Sequence, residues 1–176
     1  QPLIMSILMA VIFGAMIVTP MSTVGIALAI NLGGVGSAAA NVGICAAAFG
    51  LAITGWKANS VGTSIALMAG SPKMAMANVF KKPKIMIPIL CNAAVSGVFV
   101  ALLGQQGTPM SAGFGISGLI GPINSINLSG GWTLLNVLKA GSAFILIPVV
   151  LALVFRYVFT KVVPLVSSDD YRIEVQ

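Results

Sequence analysis

The chain has no histidine, and its three acidic residues, Asp169, Asp170 and Glu174, all lie beyond position 168. Everything upstream therefore lacks the usual general acids and bases, so catalysis by this chain is not expected. Buried Asp, Glu or His also relay protons in coupled transporters, and that machinery is missing too. The two cysteines, Cys45 and Cys91, both sit inside apolar runs and read as small buried hydrophobes. No metal-ligand spacing exists, and no cofactor is expected.

Charge of either sign is scarce. Only 7% of residues are charged and 58% are hydrophobic, whereas a soluble domain carries about 25% charged residues. A chain of this composition cannot make a polar skin, and a bilayer is the solvent that fits it. The nine basic residues fall mainly in 57–84 and near the C-terminus. The net charge of +6 is then a topology signal. No basic patch interleaved with aromatics is present, so no nucleic-acid partner is expected. No charged start with a small-residue cleavage site precedes the first apolar run, and the abrupt start at Gln1 reads as that of a fragment.

What the chain does have is apolar segments rich in glycine and alanine. Residues 3–18, 38–56, 85–103 and 132–158 are the spanning candidates, the first slightly short. The expected fold is an all-α polytopic membrane protein of about four transmembrane helices plus two broken or re-entrant elements. Residues 1–56 read as a first membrane unit, 57–84 as a basic cytoplasmic connection, 85–161 as a second unit and 162–176 as a cytoplasmic tail. Lys57, Lys73, Lys81, Lys82 and Lys84 place the connection in the cytoplasm, and Arg156 and Lys161 then fall on the same side.

The tetrapeptide Thr-Pro-Met-Ser occurs twice, at 19–22 and 108–111, each time after an apolar run. The stretches that follow also align, "VGIALAI" (24–30) with "FGISGLI" (114–120). Two like-oriented units, a parallel repeat, are the expectation. Proline removes a helix donor and clashes with the preceding turn. In lipid the freed carbonyls must find partners, and Thr or Ser hydroxyls can serve. Two readings stand: a kinked helix that satisfies itself, or a re-entrant break lining a polar cavity. Half-length segments favour the second, with both breaks facing one cavity near the outer leaflet.

Neutral polar groups supply the other candidates. Asn124, Ser125 and Asn127 in "GPINSINLSGG" could bond sugar hydroxyls, since an amide both gives and accepts, or could belong to a polar loop. Asn41 and Asn92 are contact candidates or interhelical clasps. Pro88, Asn92 and Ser96 share one helix face by their spacing of four. Lys57 and Lys73 sit beside turn residues, in "GWKANS" and "GSPKM", and could face a cavity or a partner. "KKPK" (81–84) could meet lipid headgroups or a soluble protein.

The runs "FGAMIVTPMSTVGIALAI", "AAANVGICAAAFGLAITGWK", "GSPKMAMANVFKKPKI" and "GTPMSAGFGISGLIGPIN" resemble the membrane IIC component of the bacterial sugar phosphotransferase system (PTS). The nearest branch is the IIC-like group that includes regulators of toxin genes. The resemblance covers residues 3–160. It implies a multi-pass sugar permease of the bacterial inner membrane, commonly a homodimer, with cytoplasmic IIB and IIA partners that carry the phosphoryl group. It also implies that this chain is the C-terminal half of a longer one. The Glu and His that better-known IIC families place near the sugar have no match here.

The substrate is accordingly expected at Thr19, Ser22, Asn31, Thr108, Ser111, Asn124 and Asn127, with Asn41, Lys57, Lys73 and Asn92 as further contacts. The alternative is a non-transporting membrane sensor built on the same fold, touching a cytoplasmic partner through "KKPK" or the acidic tail. A purely structural packing module is disfavoured by the polar broken elements.

Overall fold

The computed structural model describes residues 2–174, and these are helical almost throughout. Helix α1 is Pro2–Met16, α2 Thr23–Ala29, α3 Gly34–Thr54 and α4 Val61–Ile65. A wide π turn, Ala66–Gly70, and a 3-10 turn, Pro72–Ala75, lead to α5, Met76–Lys81. Helix α6, Met86–Leu102, follows the short turn Pro83–Ile85, and α7 is Ile120–Leu128. Helix α8, Leu134–Gly141, continues through a π turn, Ser142–Leu146, into α9, Ile147–Tyr157. That π turn lies just before Pro148, whose ring would collide with a regular preceding turn.

Among the described residues, three helices are long and apolar enough to cross a membrane: Gly34–Thr54, Pro83–Leu102 and Leu134–Val162. The chain is an all-α membrane protein. The expected first span is the shorter helix α1, whose 15 residues extend about 22 Å. A hydrocarbon core is about 30 Å thick.

Helix α3 is the centre of the molecule. It is buried from Ser37 to Ala52, and that stretch is rich in alanine and glycine. Small residues let backbones approach closely, which is how helices gain packing in lipid. A Cβ on Gly43 would stand 1.9 Å from the Ala10 carbonyl oxygen, and one on Gly97 would stand 2.7 Å from that of Ser6. Helix α1 therefore lies directly on the backbones of α3 and α6.

These contacts also fix direction. Ser6 meets Gly97 while Gly14 meets Ala93, so α1 runs antiparallel to α6. Helix α3 is antiparallel to α6 as well. Gly50 packs on Ile89, Tyr171 touches both Gly55 and Ile85 at one end, and Gly34 pairs with Gly107 at the other. Helices α1 and α6, which lead into the two Thr-Pro-Met-Ser segments, thus run in opposite directions. This corrects the expected parallel repeat. The tetrapeptide specifies a local break; the small faces of α1, α3 and α6 set the helix directions.

The segment after α9 folds back on the Gly55 end. The Tyr171 hydroxyl donates to the Ile85 carbonyl at 2.7 Å, and Asn59 bonds the Tyr171 carbonyl and the Ile173 amide. Asp170 accepts from Lys82 at 2.9 Å and pairs with Lys84 at 3.4 Å. Those lysines and the Ser167 amide hold its carboxyl well below the usual carboxylate range. Lys81 reaches Glu174 at 3.6 Å, an exposed pair of little energetic weight. The tail is therefore tied to the "KKPK" stretch.

Candidate functional site

Three breaks in the chain meet beside the middle of α3. The first is the Pro20 break. Thr19 Oγ1 donates to the Met16 carbonyl at 2.7 Å and accepts from the Met21 amide at 3.3 Å. Ser22 then caps α2, its Oγ accepting from the Gly25 amide at 3.0 Å. The hydroxyls do patch the backbone that proline disrupts.

The second break is the tip of the 61–75 segment. Ser60 starts α4 as its N-cap, and the chain rises along α3, burying Leu67 against the same core as Ala47 and Leu51. It turns at Gly70-Ser71-Pro72. The Ser71 Oγ accepts from the Lys73 amide at 3.2 Å and starts the 3-10 turn. Lys73 then extends its ammonium to the first break, 2.6 Å from the Thr19 carbonyl oxygen and 2.7 Å from that of Met21.

The third break is the loop 112–118. Gly115 and Gly118 take positive φ, which only glycine adopts without strain. Gly115 lies against Ile44 and Cys45, level with the middle of α3. The Gly113 carbonyl accepts from Thr23 Oγ1 at 2.9 Å, and Ser117 Oγ donates to the Gly70 carbonyl at 2.5 Å. Each break is thus bonded to the next.

Between them lies a half-open cavity of about 350 Å³, lined by polar residues that include Ser22, Thr23, Ser71, Lys73 and Ser117. Its volume falls in the range of small-molecule sites, roughly 300–1,000 Å³. Lys73 is the one charged residue in the lining. No group of three or more potential metal-ligating side chains exists among the described residues.

The expected site residues fall in three places. Ser22 lines the cavity, and Thr19 and Lys73 are joined at its edge. Thr108, Ser111 and Asn124 form a knot at the Gly34 end of α3. There the Thr108 amide bonds Ser111 Oγ at 2.9 Å and Asn124 Oδ1 at 3.2 Å, while Ser37 Oγ donates to the Thr108 carbonyl at 2.6 Å. Asn31, Asn127 and Lys57 are exposed, and Asn127 Oδ1 accepts from the Trp132 indole at 3.0 Å. Asn41 is buried and donates to the Gly115 carbonyl at 3.1 Å. Asn92 donates to the Pro148 carbonyl and accepts from Ser96, both at 2.9 Å, clasping α6 to α9.

The two Thr-Pro-Met-Ser segments accordingly do not face each other across one space, as expected from their likeness. The first meets the cavity, and the second is bonded to α3 and α7. Thr23, Ser71 and Ser117 were not singled out by sequence. Only the "GSPK" turn around Ser71 carried a signal, as a proline-marked break among apolar residues.

Neither a curated protein nor a solved structure matches the chain. One family model does, described as "Phosphotransferase system, EIIC", and it covers residues 1–173. Nearly the whole chain lies within that match, and the protein belongs to the phosphotransferase system EIIC family.

Proposed function

We propose that the chain is the sugar-translocating part of a phosphoenolpyruvate-dependent PTS permease, with the sugar held in the cavity between the three breaks. The observation that carries this is the convergence of those breaks at mid-height on α3, in a member of the EIIC family. Irregular backbone at membrane depth is tolerated only where it is buried in protein or lines water. Interrupted segments meeting near the midplane are a recurrent transport-site arrangement.

On this reading the 61–75 segment and the 105–119 stretch are re-entrant elements entering from opposite faces. The chain is multi-pass in a bacterial inner membrane, organised as two membrane units joined by the stretch 57–84, whose 61–75 part re-enters the membrane. The basic end, with Lys57, Lys81, Lys82 and Lys84, is cytoplasmic by the positive-inside rule. There the IIB protein delivers its phosphoryl group, with IIA behind it, and a second copy and lipid complete the assembly. Ser22, Thr23, Ser71, Lys73 and Ser117 contact the sugar. Thr108, Ser111 and Asn124 hold the second break in place.

The sensor alternative would use the acidic tail or "KKPK" as its contact. Asp170 is already engaged by Lys82 and Lys84 within the chain, which favours transport. Uptake of labelled sugar into vesicles, with and without the phosphotransferase partners, tests the proposal. Partner-dependent accumulation of sugar phosphate is expected. No uptake and no binding of any sugar would contradict it.

A further inference from the structure

The charge of the cavity carries an inference about what it holds. Lys73 brings one positive charge into the lining. No acid stands there to compensate it. All three carboxylates lie beyond position 168, and each is paired with a lysine or arginine, at Lys82, Lys84, Lys81 or Arg172. The Lys73 ammonium donates to two neutral backbone carbonyls, those of Thr19 and Met21. They take two of its three N–H groups and leave one.

The hydroxyls around it are divided by role. Ser22 Oγ and Ser71 Oγ each accept a backbone N–H, so their O–H groups remain free to donate. Thr23 and Ser117 spend their O–H groups on the Gly113 and Gly70 carbonyls, so their lone pairs remain free to accept. The lining therefore offers two hydroxyl donors, two acceptors and one ammonium N–H. A neutral sugar would match the hydroxyls and leave the ammonium without a counter-charge. An anionic group beside Lys73 and Ser71 would use that charge in a strong, charge-assisted hydrogen bond.

Resting on the proposed sugar cavity, we propose that its preferred occupant is a polyhydroxy ligand carrying a negative charge, with the anion seated on Lys73. The charge has two sources, a carboxylate of the sugar itself or the phosphoryl group it acquires. The chemistry at Lys73 is the same for both.

The test is binding to the purified full chain in detergent, by calorimetry, of a hexose, the corresponding hexuronate and the corresponding hexose 6-phosphate. The proposal predicts that at least one anionic sugar binds about tenfold or more tighter than the hexose. The tighter of the two identifies the source. Lys73→Gln, which keeps N–H donors for the Thr19 and Met21 carbonyls but loses the charge, is expected to bring the ligands within about twofold of each other. Lys73→Arg is expected to keep the preference.

Equal affinities for the hexose and both anions in the unaltered protein would overturn the inference and leave the sugar cavity standing. An anion preference that survives in Lys73→Gln would overturn the assignment to Lys73. No binding of any of the three would count against the cavity itself. Because the unaltered chain alone decides the charge claim, a variant that fails to fold does not shelter it.

Discussion

The Lys73 ammonium nitrogen lies 2.6 Å from the carbonyl oxygen of Thr19, a residue 54 positions earlier in the chain. It thereby supplies donors to carbonyls in the non-helical stretch between α1 and α2, and the Met21 carbonyl shares it at 2.7 Å. One side chain both closes a helix break and charges a cavity. Thr23 and Ser117 complete the link, joining α2 to the 112–118 loop and that loop to the Gly70 tip.

Removing the closure should be measurable as lost stability. Lys73→Ala strips two carbonyls of a charged donor. Bonds to charged groups contribute about 1.5–3 kcal/mol, and half-burial of Lys73 places the loss toward the low end. Thermal unfolding in detergent should fall by on the order of 5 °C. Lys73→Gln should recover most of the difference.

The close approach of α1 to α3 makes Gly43 intolerant of even one carbon. Its Cβ would stand 1.9 Å from the Ala10 carbonyl oxygen, so Gly43→Ala must push the helices apart. Overpacking of this kind costs about 1–3 kcal/mol. A lower unfolding temperature and broadened size-exclusion peaks are expected. Gly141→Ala, where a Cβ meets nothing within 4 Å, is the control and should be neutral or stabilising.

Docking of the tail should depend on pH through Asp170. Its carboxyl titrates below the ordinary range in the docked state because Lys82, the Ser167 amide and Lys84 favour the charged form. The depressed group contributes its docking energy above the undocked carboxylate value, about 4. That contribution is lost as pH falls through the lower docked value. Protection of the 167–173 amides, taken against the intrinsic exchange rate at each pH, should be high at pH 7 and fall below about pH 4. Asp170→Asn should show low protection at pH 7 and little further change on acidification.

Asn92 is expected to matter for packing alone. Asn92→Ala removes its bond to the Pro148 carbonyl and leaves Ser96 Oγ without its side-chain partner. Interhelical bonds of this kind contribute roughly 0.6–2 kcal/mol in membranes. Unfolding temperature should drop by a few degrees while sugar affinity stays unchanged.

Much of this was legible in the sequence, for reasons that differ by residue. The scarcity of charge and the apolar runs fixed the membrane class, and the long runs around both tetrapeptides carried the family. Asn92 and Ser96 were readable as one face, and they act as one. Lys73 was readable as a cavity candidate from its turn, but charge counting grouped it with the lysines at the molecule's end. That rule counts cations near helix ends and is blind to depth. The two Thr-Pro-Met-Ser segments share chemistry but not surroundings. Pro20 stands near Lys73, whereas Thr108 and Ser111 meet Asn124 and Ser37, and these partners lie 13 to 71 positions away. The direction of α1 and the docking of Tyr171 on Ile85 likewise rest on long-range fit that no local pattern encodes.

The central claim is that the three breaks enclose a water-accessible cavity at the middle of α3. Single cysteines at Ser22→Cys, Ser71→Cys and Ser117→Cys, in a chain with Cys45 and Cys91 replaced, test it most directly. The probe is a membrane-impermeant thiol reagent applied to open membrane fragments, since thiols react as thiolates in water. Rapid labelling at all three positions is predicted, against little at Leu146→Cys on the exposed apolar face and at Ser125→Cys in the buried knot. Labelling of all three no faster than at Leu146→Cys would contradict the account.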